Sequence, residues 1–184
     1  MVRKLKHHES KLLRKVDFLT YKSDAGHRSA QVQRRYHLPG PDVYTKYSHI
    51  IGKIRALAHR LSLLPPPSAF RRQQEQLLLE KLQTIGILPL HAKLSDVEKA
   101  VTVASICRRR LAVVMTRLRM AESVKVAARL IEQGQVRVGP QVITDPGWCV
   151  PRRQEEWVTW VDGGKIKEHV MRYRDEVDDF DLLK

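Results

Sequence analysis

Cysteine and aromatic residues are scarce in this chain, and long apolar runs are missing from it. Only Cys107 and Cys149 occur, without C-x-x-C spacing or a nearby histidine pair, which argues against a zinc site. A disulfide between them stays open here, although two lone cysteines in so basic a chain suit a reducing compartment. Phe, Trp and Tyr together make 6% of the residues, too few for a surface built mainly on base stacking. No apolar stretch approaches the roughly 18 residues of a membrane-spanning helix. The chain starts with charges rather than an apolar run, so an intracellular protein away from membranes is expected. The patterns G-x-x-x-x-G-K-[ST], H-E-x-x-H and G-x-S-x-G are absent and the eight histidines are scattered. Neither an enzyme nor a bound cofactor or metal is expected.

Positive charge is what the chain has in excess. Lys and Arg number 34 against 20 Asp and Glu, a formal net charge of +14. That excess works against a compact state through self-repulsion unless a polyanion neutralises it, and nucleic acid is the default partner. The charge is uneven. Residues 1–37 carry 10 basic and 3 acidic side chains, residues 38–100 carry 9 and 5, residues 101–174 carry 14 and 7, and residues 175–184 carry 1 and 5. The hydrophobic share of 42% still allows a packed core.

Residues 1–41 read as a basic arm with a brief apolar interruption at Leu12, Leu13, Val16, Phe18 and Leu19. From Asp42, Ile50, Ile54, Leu57, Ala58 and Leu61 recur at helical spacing until Pro65-Pro66-Pro67 stops the helix. Ser68 suits the cap of a second helix carrying Phe70, Leu77, Leu78 and Leu82 and ending near Gly86. Ser95 and Glu98 have capping-box spacing for a third, with Val97, Ala100, Val101 and Ala104 inward. Residues 42–106 are thus expected to form a helical subdomain.

After Cys107 the pattern sharpens. Leu111, Val114, Met115 and Leu118 make the stripe of a two-turn helix whose other faces carry Arg108, Arg109, Arg110, Arg117 and Arg119. Ser123 caps a second helix with Val124, Ala127, Ala128 and Ile131 on one face, Lys125 and Arg129 on another, and Gly134 at its end. Val136, Val138 and Val142 then alternate as two strands joined through Gly139-Pro140-Gln141. Pro140 suits the i+1 position of a type I or II turn. Residues Trp157 to Val161 predict another strand, with both tryptophans more often core than interface. Ile166, Val170, Tyr173 and Val177 predict a closing helix, and an acidic tail spans 175–184.

Arg109-Arg110-Leu111, Arg117-Leu118, Ala121-Glu122-Ser123, Ala128-Arg129-Leu130-Ile131, Gly134-Gln135-Val136-Arg137-Val138 and Val142 through Pro146 resemble the ribosomal protein S4-type RNA-binding domain. The hairpin departs from the family's usual Asn-Gly by placing Gly139-Pro140 there. The flanks resemble one branch, the S4-domain proteins of the U3 small nucleolar ribonucleoprotein. Those flanks are Met1 through Glu9, Ile54 through Ala58, Cys107 through Leu111, Trp157 through Asp162 and Asp178 through Leu182. The resemblance implies an α+β protein, a helical N-terminal subdomain followed by an S4-type domain (residues 107–174) of two helices on a small antiparallel sheet. It implies a nucleolar, non-enzymatic component of the small-subunit processome, in 18S rRNA maturation and 40S biogenesis. Its implied partners are U3 small nucleolar RNA, the ribosomal RNA precursor (18S region and 5′ external spacer), the scaffold M-phase phosphoprotein 10 and other processome proteins.

On this reading Arg108, Arg109, Arg110, Arg117, Arg119, Lys125 and Arg129 serve phosphates, helped by Ser123 and the amides near it, with Gln135 and Arg137 on the hairpin. Arg110 or Arg129 pairing with Glu122 or Glu132 is the structural alternative. The acidic tail is either a solvated end, a screen for the basic surface, or a partner site shared with the Trp157–Trp160 strand. Recognition should be of backbone and shape rather than of base sequence. Contacts to six to eight phosphates would give a log–log salt slope of about −4 to −7. A structural small-subunit ribosomal protein of the S4 family is the other reading of the same residues.

Overall fold

The computed structural model describes residues 3–15 and 28–176. The chain divides into two compact units, Met1–Lys46 and Tyr47–Lys184. In the first, α1 spans His7–Lys15 and α2 spans Arg28–Arg35. Glu9 lies in the first turn of α1, where its carboxylate accepts from Arg3 Nη2 at 2.7 Å and from the Lys6 N–H at 2.9 Å. The Arg3 bond, then the Lys6 bond, hold this carboxyl below its usual range. The Arg35 guanidinium lies 5.7 Å from the centroid of the buried Tyr36 ring. The apolar run from Leu12 to Leu19 lies outside the described side chains, as do Val177 and most of the acidic tail.

Helix α3 (Pro41–Ser62) continues into the second unit, followed by α4 (Ala69–Ile85), α5 (Leu94–Ala100) and α6 (Val103–Cys107). Their core is Ile51, Ala58, Leu61, Leu82, Leu88, Leu94, Val97, Val101 and Ile106. Ile50, Leu57, Phe70 and Leu77 are exposed instead. Apolar residues surround α3 on more than one side, and at 100° per residue the choice of Ile51 and Ala58 rotates Ile50 and Leu57 outward. As expected, the Ser68 hydroxyl accepts from the Arg71 N–H, and Gly86 ends α4 in the left-handed region at φ 86°.

The third helix differs from its prediction. Asp96, not Glu98, reaches back to accept from the Lys93 N–H at 2.9 Å, so α5 starts earlier than the Ser95 reading places it. It then breaks at Val101-Thr102. The Arg55 Nη2 donates to the Val101 carbonyl at 2.6 Å, and the Thr102 N–H donates to Ser105 Oγ at 3.0 Å. These side chains satisfy backbone groups that a continuous helix would have paired. Ala100 ends up exposed.

The remaining elements are α7 (Leu111–Arg117), α8 (Val124–Glu132), β1 (Val136–Val138), β2 (Gln141–Val142), a 3-10 helix (Arg152–Trp157), β3 (Val158–Trp160) and α9 (Lys165–Tyr173). The sheet is antiparallel in the order β2-β1-β3. Leu111, Val114, Met115, Ala127, Ile131, Val136, Val150 and Val158 pack beneath it. The chain is therefore α+β, with two helices against a small antiparallel sheet, as the resemblance implied. Leu118 falls beyond the end of α7 and is exposed, and Tyr173 is 88% exposed, so neither joins a core stripe.

The hairpin tip corrects the turn assignment. Val138 pairs with Gln141, leaving Gly139 and Pro140 as a two-residue loop with Gly139 at φ 60°. Pro140 thus sits at i+2 and glycine at i+1, the pattern of a type II′ turn, whose twist matches that of the strands. Trp157 closes the 3-10 helix rather than opening β3.

Both cysteines are free thiols. Burial pushes the Cys107 thiol up to about 11. The folded state favours the neutral thiol, so this contribution to stability is full below the ordinary thiol pKa and fades as pH climbs toward that raised value. Alkylation at pH 8 should modify the exposed Cys149 first and Cys107 only on unfolding, resolved by peptide mass spectrometry.

At Gly86 an added Cβ would lie 2.9 Å from Arg109 Cζ, at a φ that L-residues rarely adopt. Gly86→Ala should cost about 1–3 kcal/mol in chemical denaturation.

Candidate nucleic-acid interface

The arginine run that opens the S4-type part divides into two roles. Backbone pairing decides which. The Arg109 carbonyl accepts from the Val150 N–H at 2.8 Å and the Leu111 N–H donates to the Trp148 carbonyl at 2.8 Å, with Arg110 and Cys149 paired between them. That short antiparallel bridge turns both side chains inward, leaving Arg109 4% and Arg110 5% exposed.

Arg109 donates Nε and Nη2 to the Val150 carbonyl at 3.1 and 2.7 Å, and Nη1 to Glu155 Oε2 at 3.0 Å. Glu155 also pairs with Arg117. Arg110 Nη1 donates to the Tyr47 hydroxyl at 2.9 Å, and neither Glu122 nor Glu132 takes part. Arg109 and Arg110 are therefore withdrawn from the candidate phosphate contacts. The Arg109 fork is already filled by acceptors, and Arg110, with one phenol partner and a buried Nε that has none, is closed off by burial rather than by pairing.

The other candidates remain at the surface in two settings. Arg108, Arg119, Ser123, Lys125 and Arg129 are exposed. Arg119 follows α7 at φ 59°. Lys125 and Arg129 lie one turn apart on α8, and neither makes an ion pair among the described residues. Ser123 Oγ accepts from the Val126 N–H at 3.4 Å, which uses its hydroxyl as the cap of α8. Arg117 is half-exposed but tied to Glu155.

Gln135 and Arg137 are half-buried on the sheet side. Gln135 lies against Gly164, and its carbonyl accepts from the Val161 N–H at 3.0 Å. Arg137 Nε donates to Thr159 Oγ1 at 3.1 Å, and its guanidinium pairs with Asp162, which Lys167 Nζ also contacts at 2.5 Å. The Lys167 bond is the main reason the Asp162 carboxyl lies below its usual range, with Arg137 adding to it.

Sequence reading missed Tyr47, Glu155, Asp162 and Arg152. Arg152 is exposed at the start of the 3-10 helix; burial above all, then the charges of Arg109 and Arg152, hold the Arg117 guanidinium below its usual range. Tyr47 lies 63 residues from its partner Arg110 and Glu155 lies 46 from Arg109, beyond any local periodicity.

Known proteins match this chain over its whole length. The family described as the ribosomal protein S4/S9 N-terminal domain matches residues 4–108, and the S4 domain matches residues 109–154. The U3 small nucleolar ribonucleoprotein protein IMP3 of Saccharomyces cerevisiae is 58% identical over 182 residues, 99% of this chain and 100% of that one. Its Homo sapiens counterpart is 47% identical over 183 residues, 99% of each chain. The chain belongs to the IMP3 family of U3 small nucleolar ribonucleoprotein proteins. It is not an enzyme but a member of a ribonucleoprotein family built on an S4 domain. Small ribosomal subunit protein uS4 of Methanocella arvoryzae is more distant, 32% identical over 145 residues, 75% of this chain and 70% of that one.

The two settings separate by mutation. Arg109→Ala strands part of Glu155 and the Val150 carbonyl in the interior and should cost about 3 kcal/mol in urea unfolding. Lys125→Ala and Arg129→Ala should stay within about 0.5 kcal/mol of the parent.

Proposed function

We propose that this protein is an RNA-binding component of the U3 small nucleolar ribonucleoprotein, acting within the small-subunit processome in the nucleolus. There it promotes pairing of U3 RNA with the ribosomal RNA precursor during 18S rRNA maturation. The observation that carries this is the exposed face of α8, where Lys125 in the first turn and Arg129 in the last make no ion pair among the described residues, while Arg109 and Arg117 are tied to Glu155. Cations on such a face suit phosphate, and Lys125 lies in the first turn, where the helix dipole adds a field favourable to an anion. The relatives, proteins of the U3 small nucleolar ribonucleoprotein, support the particle, and the basic surface supports the chemistry.

Pairing of two RNA strands needs no reacting side chain. A polycation that holds both strands lowers their repulsion and raises their effective concentration. In this reading residues 1–41 are a basic arm, 42–106 a helical subdomain, 107–174 the S4-type grip and 175–184 an acidic tail. The scaffold M-phase phosphoprotein 10 is the protein partner, and Arg108, Arg119, Ser123, Lys125 and Arg129 lead the RNA contacts.

With Arg109 and Arg110 withdrawn, the salt slope should fall at the shallow end of the range, about −4 on a log–log plot. An affinity nearly independent of salt would remove the phosphate-contact reading. Charge reversal at Lys125 and Arg129 together should slow annealing of U3 with precursor fragments by at least tenfold, on the order of two weakened phosphate contacts. Annealing at the parental rate would count against the mechanism. Co-sedimentation with mature small subunits, rather than with large precursor particles, would favour the ribosomal-protein reading instead.

A further inference from the structure

The open face of the sheet carries a feature that the helix-based grip does not use. The register pairs Arg137 with Val142 on one side and Thr159 on the other, so these three share the outer face, while Val136, Val138 and Val158 are buried on the inner one. Trp157 stands two residues before Thr159 and opposite Gly139, whose N–H donates to the Trp157 carbonyl at 3.0 Å. A Cβ on Gly139 would sit 3.5 Å from Trp157 Cε3, so the indole leans on bare glycine backbone at the hairpin tip. Trp157 is nonetheless 58% exposed and Val142 46%. Trp160, three residues on, packs against the core and behaves as an ordinary structural tryptophan.

An indole left this open is costly to hold in water, and it sits beside a guanidinium that Thr159 and Asp162 already orient. The patch amounts to one ring and one isopropyl group, flanked by an arginine whose charge Asp162 already holds. A stable protein interface buries about 800 Å² on each partner, far more than this patch offers. A single planar, weakly polar group fits better.

The geometry points to Trp157 as a stacking platform for one unpaired RNA base, with Arg137 beside it on the sheet. This rests on the RNA-binding function proposed above and adds a specificity to it. The exposed cations of α8 hold backbone in any RNA, whereas the sheet face favours RNA with a single-stranded nucleotide next to a paired segment. Stacking on a π-face is tolerant of base identity, so the preference is for an unpaired base rather than for a sequence.

The test uses the full chain, with Trp157→Ala and Trp157→Phe, against two labelled RNAs: a plain duplex and the same duplex carrying a uridine loop. Fluorescence anisotropy should show Trp157→Ala weakening the looped RNA roughly tenfold while leaving the duplex within twofold, and Trp157→Phe keeping most of the affinity. Parental affinity of Trp157→Ala for the looped RNA would overturn the inference and leave the patch to a protein partner. Equal loss for both RNAs with a lowered melting temperature would also overturn it, making the ring part of the scaffold. If the parent bound neither RNA, the RNA-binding function itself would fall, and this inference with it.

Discussion

A guanidinium taken out of water is costly unless acceptors replace its hydration, and Arg109 makes three such hydrogen bonds. Its fork closes on the Val150 carbonyl and on Glu155, and its flat carbon lies against Gly86 at the end of α4. One side chain thereby ties the helical core to the S4-type core, within the second unit. Glu155 then extends the tie to Arg117 on α7. The left-handed glycine at 86, the bridge at 109–111 and the 3-10 helix that delivers Glu155 are each intelligible as the setting this charge requires.

The same constraint explains how a strongly basic chain folds at all. Not all of its positive charge faces solvent. Arg55, Arg109 and Arg110 are spent on a carbonyl, a carbonyl with a carboxylate, and a phenol inside the second unit. Arg117, Arg137 and Lys167 are neutralised at the surface by Glu155 and Asp162. The charges left over, among them Lys125 and Arg129, are the ones whose self-repulsion a polyanion would relieve. Division of labour among like residues is what separates scaffold from grip here.

Much of the fold was readable in order along the chain, because its cues are local. Ser68 and Gly86 bracket α4, Ser123 and Gly134 bracket α8, and the alternation at Val136 and Val138 marks a strand with one buried face. What misled was also local. Apolar residues on two sides of α3 give no unique stripe, and Pro140 suggests a turn with proline first, whereas Gly139 before it takes the positive φ that puts proline second. The site was less legible. Arg109 and Arg110 look identical in sequence to Arg108, and only the pairing of their backbone with residues 148–150 sends them inward.

The sequence by itself determined the class of partner, the order of helices and strands, and the family. Net charge, periodicity and caps are properties of neighbours along the chain. Which arginines remain exposed, and that Trp160 packs partly buried against the core while Trp157 lies open beside the hairpin tip, was decided by tertiary structure alone. Those outcomes depend on desolvation and on acceptors as many as 63 residues away, quantities with no expression in local sequence until the chain has closed on itself.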